Sequence, residues 1–262
     1  MVDRRYVEGD PARAAGLTRD LLALKPDISV SSTDLYARPA AQATKTLPII
    51  FVVGFDPVGL GQVQSLARPG GNVTGFSVLN YELSGKRLGL FKEALLPMGR
   101  VGVLYRENET KAQAVLESMR RAGQGIGVEI VPVPLPGRED LAAAIGKAAQ
   151  SGLAGVMNVP DPIFFHERKL IANLCLQHRV VASFGAADFA DAGMLLGFGT
   201  DFSALFRRAA VLVDRQLRGD LPATIPVKQA NSYELVANLK TARPLGINVR
   251  KSVLLQATHL IE

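Results

Sequence analysis

The chain has 262 residues, 48% hydrophobic and 21% charged, which excludes intrinsic disorder and leaves room for one large domain or two lobes of ordinary size. Its net charge of +6 is scattered in short groups such as Arg207 with Arg208 on a predicted helix, and aromatics at 6% with no Trp do not supply the basic, stacking surface that nucleic acid requires. Cys175 stands alone, so neither an internal disulfide nor a cysteine metal cluster can form, and no window of about 18 apolar residues offers a membrane span.

The opening residues MVDRRYVEGD lack the apolar core of a secretory signal and read as if the sequence began inside a fold. Asp10 and Pro11 then look like an N-cap and first-turn proline. Ala15, Leu17, Leu21, Leu22 and Leu24 follow at helical spacing until Pro26. ISVSS reads as a short strand, and Ser31, Ser32 and Thr33 sit between it and the helical run ARPAAQATK. Hydroxyls and backbone N–H groups are expected to converge there at a helix N-terminus, either as an anion-friendly corner or as a plain cap. Ile49, Ile50, Phe51, Val52 and Val53 form an unbroken apolar run, which a strand carries when both faces of its parallel sheet are covered. Past its end, Gly54 permits a turn, Asp56 offers a carboxylate or a helix cap, and Pro57 stiffens the exit. This is the carboxyl edge where open α/β sheets bind ligands. A helix over 61–66, a turn at RPGGN and a strand over 73–76 complete the first winding.

A break near 76–83 precedes a second β-α series. Helices are predicted over 83–96, 111–123, 139–150, 165–178 and 203–218, and strands over 101–105, 129–133, 155–159, 180–184 and 193–199, with extended chain over 225–236. Two parallel sheets with right-handed crossovers are implied. Polar residues again gather past the strands: Arg106, Glu107 and Asn108, then Asp161 between two prolines, then Asp188. If the two carboxyl edges face each other, a cleft between lobes holds the ligand.

Catalytic signatures fail. Gly85 and Lys86 are followed by Arg87, with Asn80 in place of the first P-loop glycine. Gly59 and Gly61 begin a dinucleotide fingerprint that Gln64 interrupts, and Gly75 to Leu79 lacks the closing glycine of a nucleophile elbow. His166 and Glu167 have no second His at helical spacing. Asp161 and Asp188 remain as a pair suited to acid–base work or to an ammonium group. Without a nucleophile, metal or cofactor loop, binding is the simpler assignment. An amino acid suits such a site, its ammonium on the carboxylates and its carboxylate on Ser31 to Thr33. Phe55, Phe164 and Phe184 either line a pocket for an aromatic side chain or pack in the core.

The segments FVVGFDPVGLGQVQSLARPGGNVTGFS, KRLGLFKEALLP, DPIFFHERKLIANLCLQHRVVA and IPVKQANSYELVANLKTARPLGI resemble the ABC-transporter substrate-binding proteins related to tryptophan- and other aromatic amino acid-binding proteins. The resemblance covers essentially the whole chain. It implies an α/β type I periplasmic binding protein fold: two Rossmann-like lobes with parallel sheets, three crossovers and closure around a ligand. One lobe takes residues 1–76 and 201–222, the other 77–200 and 223–262. Cleft positions are then Ser31, Ser32, Thr33, Asp56 and Pro57 from one lobe and Asn108, Asp161 and Asp188 from the other, with Phe55 and Phe184 as apolar walls. The implied role is an extracytoplasmic, monomeric solute-binding component of an importer, handing a small polar ligand to a membrane permease without cofactor, metal or nucleic acid. A ligand-sensing module of a regulator, or an enzyme with Asp161 or Asp188 as base, are the alternatives. Members of the family carry a secretion signal, a first strand and its helix ahead of the point matching residue 1, so one sheet is expected to lack a central strand. A chain extended upstream is then expected to melt at a higher temperature, since an exposed central strand is costly.

Overall fold

The computed structural model describes residues 1–8, 10–78, 81–95, 97–107 and 111–262. The chain divides into two compact units, Met1–Leu79 with Asp201–Ser232 and Asn80–Thr200 with Tyr233–Glu262. In chain order the first unit opens with α1 (Ala14–Ala23), β1 (Ser29–Thr33), α2 (Asp34–Ala43), β2 (Ile49–Gly54) and β3 (Val73–Ser77). The second unit runs through α3 (Ser84–Ala94), β4 (Arg100–Arg106), α4 (Ala112–Ile126), β5 (Glu129–Leu135), α5 (Leu141–Gln150), β6 (Gly155–Asn158), α6 (Pro162–His166), α7 (Arg168–Gln177), β7 (Ser183–Phe184), α8 (Ala187–Asp191) and β8 (Leu196–Thr200). The chain then returns to the first unit for α9 (Phe202–Leu217) and β9 (Lys228–Gln229). It finishes in the second with β10 (Tyr233–Asn238), α10 (Leu239–Leu245), α11 (Lys251–Gln256) and β11 (His259–Ile261).

The first unit is a parallel sheet in the order β1-β2-β3-β9. All six residues of β2 are buried, which accounts for its unbroken apolar run. Ile49 and Phe51 pack with Ala37, Ala40 and Ala41 of α2, whereas Ile50, Val52 and Val53 pack with Leu205, Ala209 and Leu212 of α9. Thr74 Oγ1 donates to Ile225 O at 2.8 Å, tying the returning segment to β3. The helix expected over 61–66 does not form. Asp56 O accepts from Leu60 N and Pro57 O from Gln62 N, both at 3.0 Å, but Gly61 then takes a φ of +66°, a left-handed conformation that ends the winding. Gln64 N donates to Pro69 O at 2.9 Å and closes the segment as a turn.

In the second unit β5-β4-β6 are parallel, and the parallel bridge Val156↔Ala182 links β6 to the chain entering β7. The strands β7, β8, β10 and β11 follow in the order β11-β10-β8-β7. The pattern of parallel layers has one exception, β10 against β8, which is antiparallel. No helix packed on this sheet connects these two strands, since the first unit's residues 201–232 intervene, so the crossover rule for parallel neighbours does not apply. Leu88 and Phe91 of α3, Leu116 and Met119 of α4, and Val101 and Val103 of β4 build the core. Arg87 is buried in its midst, with Nε donating to Phe198 O at 2.9 Å, and desolvation lowers its pKa to about 9. No helix among the described residues is long and apolar enough to cross a membrane.

The closest backbone approach in the first sheet is at Gly75, where a Cβ would stand 2.0 Å from Phe51 O. Gly75→Ala has to push two paired strands apart, at a cost of about 1–3 kcal/mol. A fall of that size in unfolding free energy by urea titration is expected, and an unchanged midpoint would contradict this packing.

Candidate functional site

Because the strands are buried, polar side chains collect where they end. At the rim of the first unit, Thr33 caps α2, its Oγ1 accepting from Tyr36 N at 3.3 Å. Ser31 and Ser32 lie within β1, one half-buried and the other exposed, so alternation along the strand turns their side chains to opposite faces. Of the three hydroxyls expected at the helix start, only that of Thr33 caps it.

The next residue, Asp34, is the organising group of this rim. It is 1% exposed. Its Oδ1 accepts from Leu35 N at 2.9 Å and its Oδ2 from Asp56 N at 2.8 Å, while its backbone O accepts from Gln62 Nε2 at 2.6 Å. One residue thus fastens the loop after β2 to the start of α2. Burial raises its pKa above the ordinary value of 3.8, outweighing the backbone N–H groups that favour the carboxylate. Asp56 is half-buried and folds its own turn, Oδ1 accepting from Gly59 N at 3.1 Å. Pro57 is buried, and half-buried Phe55 packs on the core shared with α9. Gln62 Oε1 is buried without a hydrogen-bond partner among the described residues.

At the rim of the second unit, Asp161 and Asp188 follow neighbouring strands β6 and β7, and both are half-buried. Asp161 caps α6, Oδ1 accepting from Ile163 N at 2.8 Å. Asp188 lies in the first turn of α8, whose position is set by two devices. Gly197 and Gly199 of β8 face residues 185–186 so closely that a Cβ would lie 2.2 Å from Ala186 O or 2.1 Å from Gly185 O. From the other side, Asn238 Nδ2 donates to Ala190 O at 2.8 Å. Asn158, the last residue of β6, is buried with Oδ1 unpartnered among the described residues. Phe184 is fully buried, edge-on to Phe164 and Phe189, so it backs this rim from behind. Asn108 lies outside the described residues.

The second rim is therefore rich in acceptors: two carboxylates and an orphan amide oxygen, a set that suits N–H donors such as an ammonium group. Among the described residues, no three His, Cys, Asp or Glu side chains gather as a metal site would require. Grooves of about 290 and 450 Å³ in the second unit, the first along Gly89, Lys92, Glu93 and Ile126 and the second between α5 and α7, contain none of these residues. Asp34, Gln62 and Asn158 are absent from the sequence-based candidates. Asn158 and Asp34 do stand where strands end, a signal that position alone carries.

The family model for ABC transporter substrate binding proteins matches residues 1–261. A tyrosine-binding protein of Clostridioides difficile is 25% identical over 247 residues, 94% of this chain and 70% of the relative. Among solved structures, a conserved domain protein from Vibrio cholerae is 27% identical with a TM-score of 0.88, covering 98% of this chain and 86% of that one. The ABC domain in complex with L-Trp from Streptococcus pneumoniae is 25% identical with a TM-score of 0.86, covering 97% and 85%.

A raised folded-state pKa means that the stability Asp34 contributes is greatest below its unfolded pKa near 3.8 and declines as pH rises through the folded value. The unfolding free energy of the parent minus that of Asp34→Asn is expected to fall as pH rises across the range from about 3.5 to neutrality. Paired urea titrations across that range check this, and a difference that grows with pH would reverse the sign assigned to its burial.

Proposed function

The chain belongs to the family of ABC transporter substrate-binding proteins, and we propose that it is the solute-binding component of an importer, capturing an amino acid and presenting it to a membrane permease. The observation that carries this reading is the acceptor set of the second rim, with Asp161 and Asp188 half-buried past adjacent strands and Asn158 Oδ1, at the end of β6, unpartnered among the described residues. Such groups favour an α-ammonium over a neutral sugar or an anion. The relatives support the class of ligand, one being a tyrosine-binding protein and another a complex with L-Trp.

In this reading Asp161 and Asp188 take the ammonium. The protein acts outside the cytoplasm as a monomer and needs neither cofactor nor turnover, because passing a solute to a permease requires reversible capture only.

A thermal-shift screen over amino acids tests this. A ligand at 100 times its Kd is expected to stabilise the fold by about 2.7 kcal/mol, with the shift growing by mass action. Asp161→Ala and Asp188→Ala each remove a charged hydrogen-bond acceptor, worth about 1.5–3 kcal/mol, and are expected to weaken binding roughly ten- to a hundredfold. Failure of every amino acid to shift the parent, or equal shifts in all three proteins, would overturn the assignment.

A further inference from the structure

Gln62, at the rim of the first unit, has one half of its side-chain amide committed and the other half not. The residue is 9% exposed, and its Nε2 donates to Asp34 O at 2.6 Å. A backbone carbonyl can only accept, so the amide atom facing it is the N–H group and the remaining atom is fixed as the oxygen. That oxygen, Gln62 Oε1, is buried with no hydrogen-bond partner among the described residues. Carboxylates share the same corner. Asp34 is 1% exposed and feels the like charge of Asp56, and among the described residues no cation is paired with Asp34. Asp56 is half-buried, its N donating to Asp34 Oδ2 at 2.8 Å and its Oδ1 accepting from Gly59 N at 3.1 Å. Asp34 and Gln62 thus leave a surplus of negative charge and acceptor capacity behind the half-open position of Asp56, and the cost of burying both falls when a cation with N–H donors arrives.

We propose that Asp56 and Gln62 Oε1, with the charge of Asp34 behind them, form a subsite for an ammonium or guanidinium group on the solute's side chain, so that the protein selects basic amino acids over neutral ones. This rests on the amino acid reading given above, in which the α-ammonium goes to Asp161 and Asp188, and it names the side chain that reading leaves open. A cation on a flexible stem supplies a donor for Gln62 Oε1 and a charge opposite to that of the carboxylates. Asp34 is a positioning residue: its carboxylate accepts from Leu35 N and Asp56 N and holds the loop, while contact with the solute falls to Asp56 and Gln62. A metal ion fits this corner less well, because among the described residues no three His, Cys, Asp or Glu side chains gather as ligands.

Calorimetry with L-Lys, L-Leu and cadaverine is run on the parent, Asp56→Asn, Gln62→Leu and Asp161→Ala, with melting curves of the ligand-free proteins in sodium chloride and in choline chloride. Asp56→Asn keeps an oxygen for Gly59 N and removes the charge, whereas Gln62→Leu removes the buried oxygen. The parent is expected to bind L-Lys roughly tenfold or more tightly than L-Leu. L-Lys is expected to lose roughly ten- to a hundredfold in affinity for Asp56→Asn and several-fold for Gln62→Leu, while L-Leu changes by less than about twofold. A parent that prefers L-Leu, or equal losses of L-Lys and L-Leu in both variants, would overturn the subsite. A melting shift that sodium gives, choline does not and Asp56→Asn abolishes would assign the corner to an inorganic cation instead. If Asp161→Ala weakens both amino acids and Asp56→Asn neither, the amino acid reading stands and the subsite falls. If cadaverine binds the parent and is lost in Asp56→Asn while no amino acid binds, the subsite stands and the amino acid reading falls. A parent that binds none of the three removes both.

Discussion

A strand covered on both faces has nowhere to display chemistry except at its ends. In β2 every residue is buried, between the small face of α2 on one side and the apolar stripe of α9 on the other. The same holds for the middle of β4 and for β6. Polar groups are thereby driven to the carboxyl edges, where the chain has to turn and where backbone N–H groups and helix starts are available. The candidate residues Thr33, Asp56, Asp161 and Asp188 all occupy such places, and the fold's core packing is the reason that they do.

Ends of strands are loops, and loops hold a binding geometry only if something anchors them. Each unit has its own anchor. In the first, the carboxylate of Asp34 joins the loop after β2 to the start of α2 through hydrogen bonds at 2.8 and 2.9 Å. In the second, the backbone of 185–186 rests on the glycines of β8 while Asn238 holds the far end of α8. Neither anchor offers itself as a ligand-contacting group. Both act on the candidate binding residues, which is how a rim made of short turns acquires the rigidity that selective binding needs.

Much of the architecture was legible because the strands announce themselves as apolar runs: 49–53 and 101–105 fall inside β2 and β4. The Asp10–Pro11 start is likewise seen, with Asp10 Oδ1 accepting from Ala12 N at 3.0 Å. The helix expected over 61–66 failed because apolar spacing says nothing of the positive φ that Gly61 adopts. Strand direction is equally invisible to periodicity, which is why the antiparallel pairing of β10 with β8 appears only in three dimensions. Site residues were harder. Asp34 reads in sequence as an ordinary acidic residue at a helix start, and its burial depends on the loop after β2, 22 residues away. The aromatic residues show the same limit: Phe164 and Phe165 are identical in type and adjacent in sequence, and only tertiary packing sends one inward.

The glycines of β8 carry an implication for redesign. Gly197 and Gly199 form a bare strip on which the backbone of 185–186 lies, so that backbone is seated by main-chain contact and not by interlocking side chains. Side chains farther along, at the half-buried positions 187 and 188, are then open to exchange without disturbing the sheet beneath, provided the strip itself stays free of methyl groups. An engineer retuning this receptor for a new solute has a small interchangeable cassette there, mounted on a surface that must be left smooth.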